Sequence, residues 1–143
     1  MNTKQKVYKE IEEMFGTVPT FLKSIPDDTI ELEWQLMKKT QFDPGLIPNK
    51  YRELIGIGVA AATRCKYCTL FHTEAAKLSG ATEDEIKEAM RFAKSTMGWS
   101  TYLNGMQYEY EDFKAETLAM TAHVRDMMSK GRQSKRMAAM SET

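Results

Sequence analysis

Apolar residues recur at helical spacing along nearly the whole chain, and no stretch alternates as a half-buried strand would. Val7, Ile11, Met14 and Phe15 share one face of a helix over residues 3–15, with Thr3 as its N-cap and Gly16 as its stop. Residues 18–25 read as a short helical turn ended before Pro26. Asp27 or Asp28 then caps a helix whose apolar positions are Ile30, Leu32, Trp34, Leu36 and Met37. Residues 43–47, Asp-Pro-Gly-Leu-Ile, form a loop. Pro48 suits the first turn of the following helix, where its missing N–H costs nothing.

From Leu54 to Ala62 that helix is apolar on every side, a pattern that predicts burial all round. Thr63 and Arg64 interrupt it, and a new helix begins near Cys65 and ends at Gly80, a good left-handed stop. Thr82 and Glu85 form a capping box, so another helix starts at Glu83 and carries Ile86, Ala89, Met90, Phe92 and Ala93. Gly98 is its expected break. A last helical stretch covers roughly residues 99–128, with a second weak point at Gly105. The expectation is an all-α fold of about six to seven helices in a single domain. Within it, residues 1–47 are N-terminal helices, 48–98 the core, 99–130 the C-terminal helices and 131–143 a frayed tail.

Composition narrows the picture. A chain of 143 residues is one domain by default and long enough to bury a core. Lys plus Arg is 20 and Asp plus Glu is 20, so no electrostatic case exists for nucleic acid or an acidic membrane surface. A net charge of zero also does little to oppose self-association. No apolar run approaches the roughly 18 residues of a membrane span. The N-terminus, MNTKQKVYKEIEEMF, is too polar for a signal peptide, so the chain reads as cytoplasmic. Eleven methionines read as adaptable core filling.

Residues 53–72 concentrate the chemistry. They hold both cysteines, Cys65 and Cys68, with His72 four residues after the second and Glu53 at the head of the apolar helix. In a reducing compartment such a pair is catalytic, redox-sensing or metal-binding rather than a structural staple. With Cys65 in the first turn of its helix, Cys65, Cys68 and His72 fall on one face. The helix N-terminus favours thiolate at Cys65, whereas an imidazole at i+4 favours it at Cys68, so the two arguments disagree on which thiol attacks. If the two helices pack antiparallel, Glu53 can orient His72, and Tyr67 can add a hydroxyl to the network. Taken singly, each residue has an ordinary reading: a solvated Glu53, a plain helix His72, a packing Tyr67. Their coincidence within twenty residues is what points to a site. Cys65, Cys68, His72 and Glu53 are also plausible zinc ligands, although Cys-x-x-Cys on a continuous helix suits zinc poorly. His123 reads as structural or surface. Trp34, Phe71, Trp99 and Tyr102 read as core packing, an apolar approach to the thiols, or subunit-interface residues.

Glu53, then Cys65 twelve residues on, then Cys-x-x-Cys-x-x-x-His ending at His72, resembles the signature of the AhpD-like alkylhydroperoxidases of the carboxymuconolactone decarboxylase superfamily. The flanking RELIGIGVAAATRCKYCTLFH and the later GATEDEI are similar to that family's core, over about residues 48–98. FGTVPTFLKSIPD resembles the lead-in of some members. The resemblance implies an all-helical homo-oligomer, a homotrimer or homohexamer. It implies a thiol–disulfide cycle with no metal or organic cofactor. Cys68 would be the attacking thiol, deprotonated through His72 with Glu53, and Cys65 the resolving thiol that closes a Cys65–Cys68 disulfide. The substrate would be a peroxide or a disulfide, and a dithiol or other electron-donor protein would restore the thiols. Members that act as decarboxylases lack this thiol chemistry, so the cysteines argue against that activity. An oligomeric redox sensor whose thiols are regulatory is the remaining alternative.

Overall fold

The computed structural model describes residues 2–141, with side chains over residues 2–133. It is all-helical, and no strand occurs among the described residues. The α-helices are α1 (Thr3–Phe15), α2 (Thr20–Lys23), α3 (Ile30–Met37), α4 (Asn49–Ala62), α5 (Lys66–Leu78), α6 (Glu83–Gly105) and α7 (Tyr110–Ser141). A π-helical turn, Lys38–Phe42, extends α3. The chain divides into two compact units, Met1–Met90 and Arg91–Thr143. No described helix is long and apolar enough to cross a membrane.

In the first unit Asn2, not Thr3, caps α1. Its side chain accepts from the Gln5 N–H at 2.9 Å, and Gln5 Oε1 accepts from the Asn2 N–H at 3.0 Å. This is a capping box that needs a short polar residue three places before a Gln or Glu. Gly16 ends the helix at φ 75°, a conformation that costs glycine least. Neither Asp27 nor Asp28 caps α3. Its first turn is instead closed by the Pro26 carbonyl, which accepts from Thr29 and Ile30 at 3.1 and 3.0 Å, and Asp27 pairs with Lys4.

Val7, Ile11, Leu22, Ile30 and Trp34 form the first buried cluster, uniting α1, α2 and α3. Ile11 and Ile30 are fully buried, each contributing roughly 1.5–3 kcal/mol of transfer free energy. Leu32 and Leu36 lie outside the cluster, since residues two apart from Ile30 and Trp34 point elsewhere on the helix. A buried indole N–H needs a partner. Trp34 Nε1–H donates to Glu10 Oε2 at 2.9 Å, and that oxygen also accepts from Lys38 Nζ at 2.7 Å. Lys38, and secondarily Trp34, hold the Glu10 carboxyl below the usual carboxylate range.

The second cluster, Ile57, Ala76 and Ala81 with Leu54, Ile86 and Met90 against it, joins α4, α5 and the start of α6. The predicted capping box is present: the Glu85 N–H donates to Thr82 Oγ1 at 3.1 Å, and the Thr82 N–H donates to Glu85 Oε2 at 2.8 Å. Glu85 Oε1 also receives Lys50 Nζ at 2.7 Å, which ties the head of α4 to the head of α6. The ammonium, ahead of the Thr82 N–H, lowers the Glu85 pKa, and Glu85 raises that of Lys50. The expectation that α4 is buried all round is not met. Glu53, Ile57 and Ala60 are buried along one face, whereas Ile55 and Val59 are 55% and 58% exposed. Within the first unit α5 and the start of α6 cover one stripe of α4.

In the second unit Gly98 does not break α6, because one helix-interior glycine costs only about 1 kcal/mol. The break falls at Gly105, and Gln107 follows in the left-handed region at φ 52°. The expected single stretch over residues 99–128 is therefore the end of α6 and the start of α7. The backbone of α7 is helical through Ser141, where a frayed tail was expected; residues 142 and 143 lie outside the described residues. No residue from 91 to 133 is buried. Trp99 and Tyr102 meet edge to face at 6.1 Å but remain exposed. Core filling by methionine holds only in part: Met37 and Met90 pack against the clusters, whereas Met14, Met97, Met106, Met120, Met127 and Met128 are exposed.

Candidate functional site

The link between α4 and α5 is Thr63–Cys65, and it reverses the chain sharply. Arg64 takes φ 56°, and the Cys65 N–H donates to the Ala60 carbonyl at 2.9 Å. Cys65 is the N-cap of α5: its Sγ accepts from the Cys68 N–H at 3.2 Å, and its carbonyl accepts from the Thr69 N–H and Oγ1–H, each at 2.9 Å. The cap position places Cys65 sulfur at the positive end of the helix, where a thiolate is favoured in the reduced state. Cys65 and Cys68 are joined as a disulfide, with Cα atoms 5.4 Å apart.

The reversal brings Glu53 on α4 against His72 on α5. Glu53 Oε2 lies 2.7 Å from His72 Nδ1. Glu53 is only 6% exposed, and a carboxylate so buried requires a partner, which the imidazole provides. With Nδ1–H donating to the carboxylate, Nε2 is left as the ring's acceptor. Gly56, one turn after Glu53, makes this contact possible. A methyl group in place of its hydrogen would stand 2.6 Å from Nδ1, 2.7 Å from Cγ and 2.8 Å from Cε1 of His72. Those distances are far inside contact, so the imidazole lies directly on the α4 backbone.

Cys68 and His72 both line a cavity of about 550 Å³. Its apolar wall is Phe21, Leu22 and Ile25 from the α2 region, Leu36 and Met37 from α3, and Phe71 from α5. Tyr67 and the π-turn residues Thr40 and Gln41 add polar groups, and Glu33 adds a carboxylate. Arg52, next to Glu53 in sequence, holds the π turn to α4: its guanidinium donates to the Thr40 carbonyl at 3.1 Å, the Asp43 carbonyl at 2.8 Å and the Asn49 side chain.

Of the residues singled out from sequence, Glu53 and His72 are in direct contact, Cys65 and Cys68 are bonded, and Cys68, His72 and Tyr67 share the cavity. Tyr67 is 77% exposed, with Lys66 Nζ 5.2 Å from its ring centroid, and its hydroxyl makes no hydrogen bond to Glu53 or His72. Phe71 lines the cavity, Trp34 is core, and His123 is on the surface. Sequence reasoning missed Glu33, Thr40, Gln41 and the bracing role of Arg52. The placement of Gly56 in a helix interior, where glycine is costly, was the one available signal for its contact. Among the described residues no group of three or more His, Cys, Asp or Glu side chains is arranged to hold a metal ion, so the zinc reading finds no ligand set.

A disulfide-forming cysteine pair at a helix N-terminus, backed by a buried carboxylate–imidazole pair on a helical hairpin, defines an all-helical protein of AhpD-like type. The chain belongs to the carboxymuconolactone decarboxylase family, whose model matches residues 27–108. It is 30% identical over 66 residues to "Uncharacterized protein 4 in cox locus" of Paracoccus denitrificans, a match covering 46% of this chain and 60% of that relative. The fold is similar to the crystal structure of the alkylhydroperoxidase AhpD core from Rhodospirillum rubrum. The TM-score is 0.65 at 24% identity, over 76% of this chain and 84% of that one.

Proposed function

We propose that the chain is a dithiol oxidoreductase that reduces a peroxide or a disulfide with Cys68 as the attacking thiol and Cys65 as the resolving thiol. The observation that carries this reading is that Cys68, not Cys65, shares the cavity wall with His72, whose far side is held by Glu53. His72 takes the Cys68 proton, and Glu53 stabilises the imidazolium. With a hydroperoxide, the Cys68 thiolate attacks the outer oxygen, the O–O bond breaks, and the alkoxide leaves as an alcohol with the proton held by His72. Cys68 becomes a sulfenic acid. The Cys65 sulfur, as the thiolate stabilised by the α5 N-terminus, displaces hydroxide from Cys68, which leaves as water, and the Cys65–Cys68 disulfide forms. The two electrons taken by the peroxide come from the two thiols, and a dithiol partner restores them by exchange through a mixed disulfide. With a disulfide substrate the same thiols act through a mixed disulfide of their own.

Copies of the chain associate, as a trimer or hexamer, through apolar surface that one copy leaves uncovered. Ile55 and Val59 on α4 and the exposed faces of residues 91–133 supply that surface. The order of attack is tested with Cys65→Ser and Cys68→Ser, treated with peroxide and a sulfenic-acid probe. Sulfenic acid should accumulate on Cys68 in Cys65→Ser. Its formation in Cys68→Ser but not in Cys65→Ser would reverse the two roles.

A further inference from the structure

The cavity beside Cys68 combines an apolar wall with a single uncompensated charge. Phe21, Leu22, Ile25, Leu36, Met37 and Phe71 offer surface to a hydrocarbon body, and the volume of about 550 Å³ is that of a small-molecule site. Among the described residues Glu33 is the one acidic side chain in the lining, and no Lys or Arg lines the cavity. Its carboxylate has no hydrogen bond or ion pair among the described residues, whereas Glu10, Glu53 and Glu85 are each matched by a cation, an imidazole or a capped N–H. On the same elements Lys38 pairs with Glu10, Lys39 with Asp43, Glu53 with His72, and Lys66 lies over the Tyr67 ring, while Lys23 is exposed on α2 and does not line the cavity.

We infer that this cavity binds an apolar substrate carrying no negative charge, and that Glu33 is the residue that discriminates by charge. Glu33 is solvent-exposed, so an anionic group entering would meet a partly screened like charge beside apolar walls, with no Lys or Arg among the described lining residues to offset it, and that repulsion is the form specificity takes when attraction alone does not separate two ligands. A hydrocarbon chain, or one ending in an amine, meets no such barrier. The inference rests on the dithiol reading for the identity of the reacting thiol, but its test does not require turnover.

The reduced full chain is alkylated with three maleimides of matched length: neutral N-hexylmaleimide, anionic 6-maleimidohexanoate and cationic N-(5-aminopentyl)maleimide. Rates at Cys68 are read by peptide mass mapping and compared with the same reagents on the urea-unfolded chain, which removes the thiol's intrinsic preference. The folded chain should favour the neutral over the anionic reagent by about tenfold more than the unfolded chain does. Glu33→Gln should bring that ratio to within about threefold of the unfolded value, and Glu33→Lys should invert it, with melting temperature confirming that both variants fold. A neutral-to-anionic ratio that Glu33→Gln and Glu33→Lys leave unchanged overturns the assignment. If the ratio responds to Glu33 while neither peroxide nor disulfide is turned over, the cavity assignment stands and the redox reading falls; turnover with a ratio indifferent to Glu33 gives the reverse.

Discussion

Residues 2–90 and residues 91–133 are written in the same amphipathic helical pattern, yet they treat their apolar side chains differently. The first unit buries Ile11, Ile30, Trp34 and Ile57 almost completely, gives its buried indole N–H and buried carboxylate a partner each, and holds the whole candidate site. Residues 91–133 include no fully buried side chain, and they leave Phe92, Trp99, Leu118, Met120 and Val124 open. A helical apolar stripe states that a face needs cover. It does not state whether the cover comes from the same chain. Where the first unit's helices are short and closely linked, they fold on one another. A helix as long as α7 presents more face than one connected neighbour can cover.

The two tryptophans sharpen this contrast most. Trp34→Ala should cost about 3–5 kcal/mol, because it empties a packed site and strips Glu10 of a donor. Trp99→Ala should cost less than about 0.5 kcal/mol on the dissociated chain. If other copies cover the second unit, the Trp99 cost should grow with protein concentration, as linkage requires. Denaturant unfolding at several concentrations measures both. Equal costs at all concentrations would remove the distinction between the regions.

Two helix-interior glycines give the next largest effect. Gly98→Ala enters open space and should stabilise by roughly 0.5–1 kcal/mol through helix propensity. Gly56→Ala meets the His72 ring and should destabilise by about 1–3 kcal/mol instead, with turnover falling at least about tenfold as the imidazole is displaced. Thermal melts and steady-state rates on the two variants decide this. A Gly56→Ala protein that is more stable and fully active would mean that His72 does not lie on α4.

The helices of both regions were legible because their hydrophobic period is local. So was the acid–dithiol–imidazole spacing, since Glu53 to His72 spans one hairpin. The cavity was not legible. Phe21, Glu33 and Thr40 come to Cys68 from elements 28 or more residues away, a relation that no periodicity encodes. The π turn was hidden because Lys38–Phe42 continues the pattern of α3, and what marks it is Arg52 reaching across to its carbonyls. Gly98 and Gly105 look alike in sequence. Only Gly105 is followed by a residue in the left-handed region, Gln107, so only there does the helix stop.

The smallest expected effect concerns ion pairs. Glu10 is coupled to the Trp34 anchor, whereas Lys114–Glu111 and Lys130–Asp126 in the second unit are simple same-helix pairs. The folded pKa of Glu10 lies below its unfolded value, so its contribution is present above the ordinary carboxylate pKa and is lost as pH falls through the lowered one. Glu10→Gln should lower stability at pH 7 by under about 1 kcal/mol, solvent screening included, and the gap to the wild type should close in acid. Glu111→Gln should show a smaller gap, if any, at every pH.

The proposed chemistry requires the cysteine pair, set in the buried-core unit, to work as a dithiol. The most direct measurement is a thiol titration of the fully reduced chain before and after one equivalent of an uncharged alkyl hydroperoxide, with intact mass recorded alongside. Two titratable thiols should become none, and the mass should fall by two hydrogens as the Cys65–Cys68 bond closes within one chain. Thiols that survive the oxidant, or a loss that appears only as disulfides between chains, would contradict it.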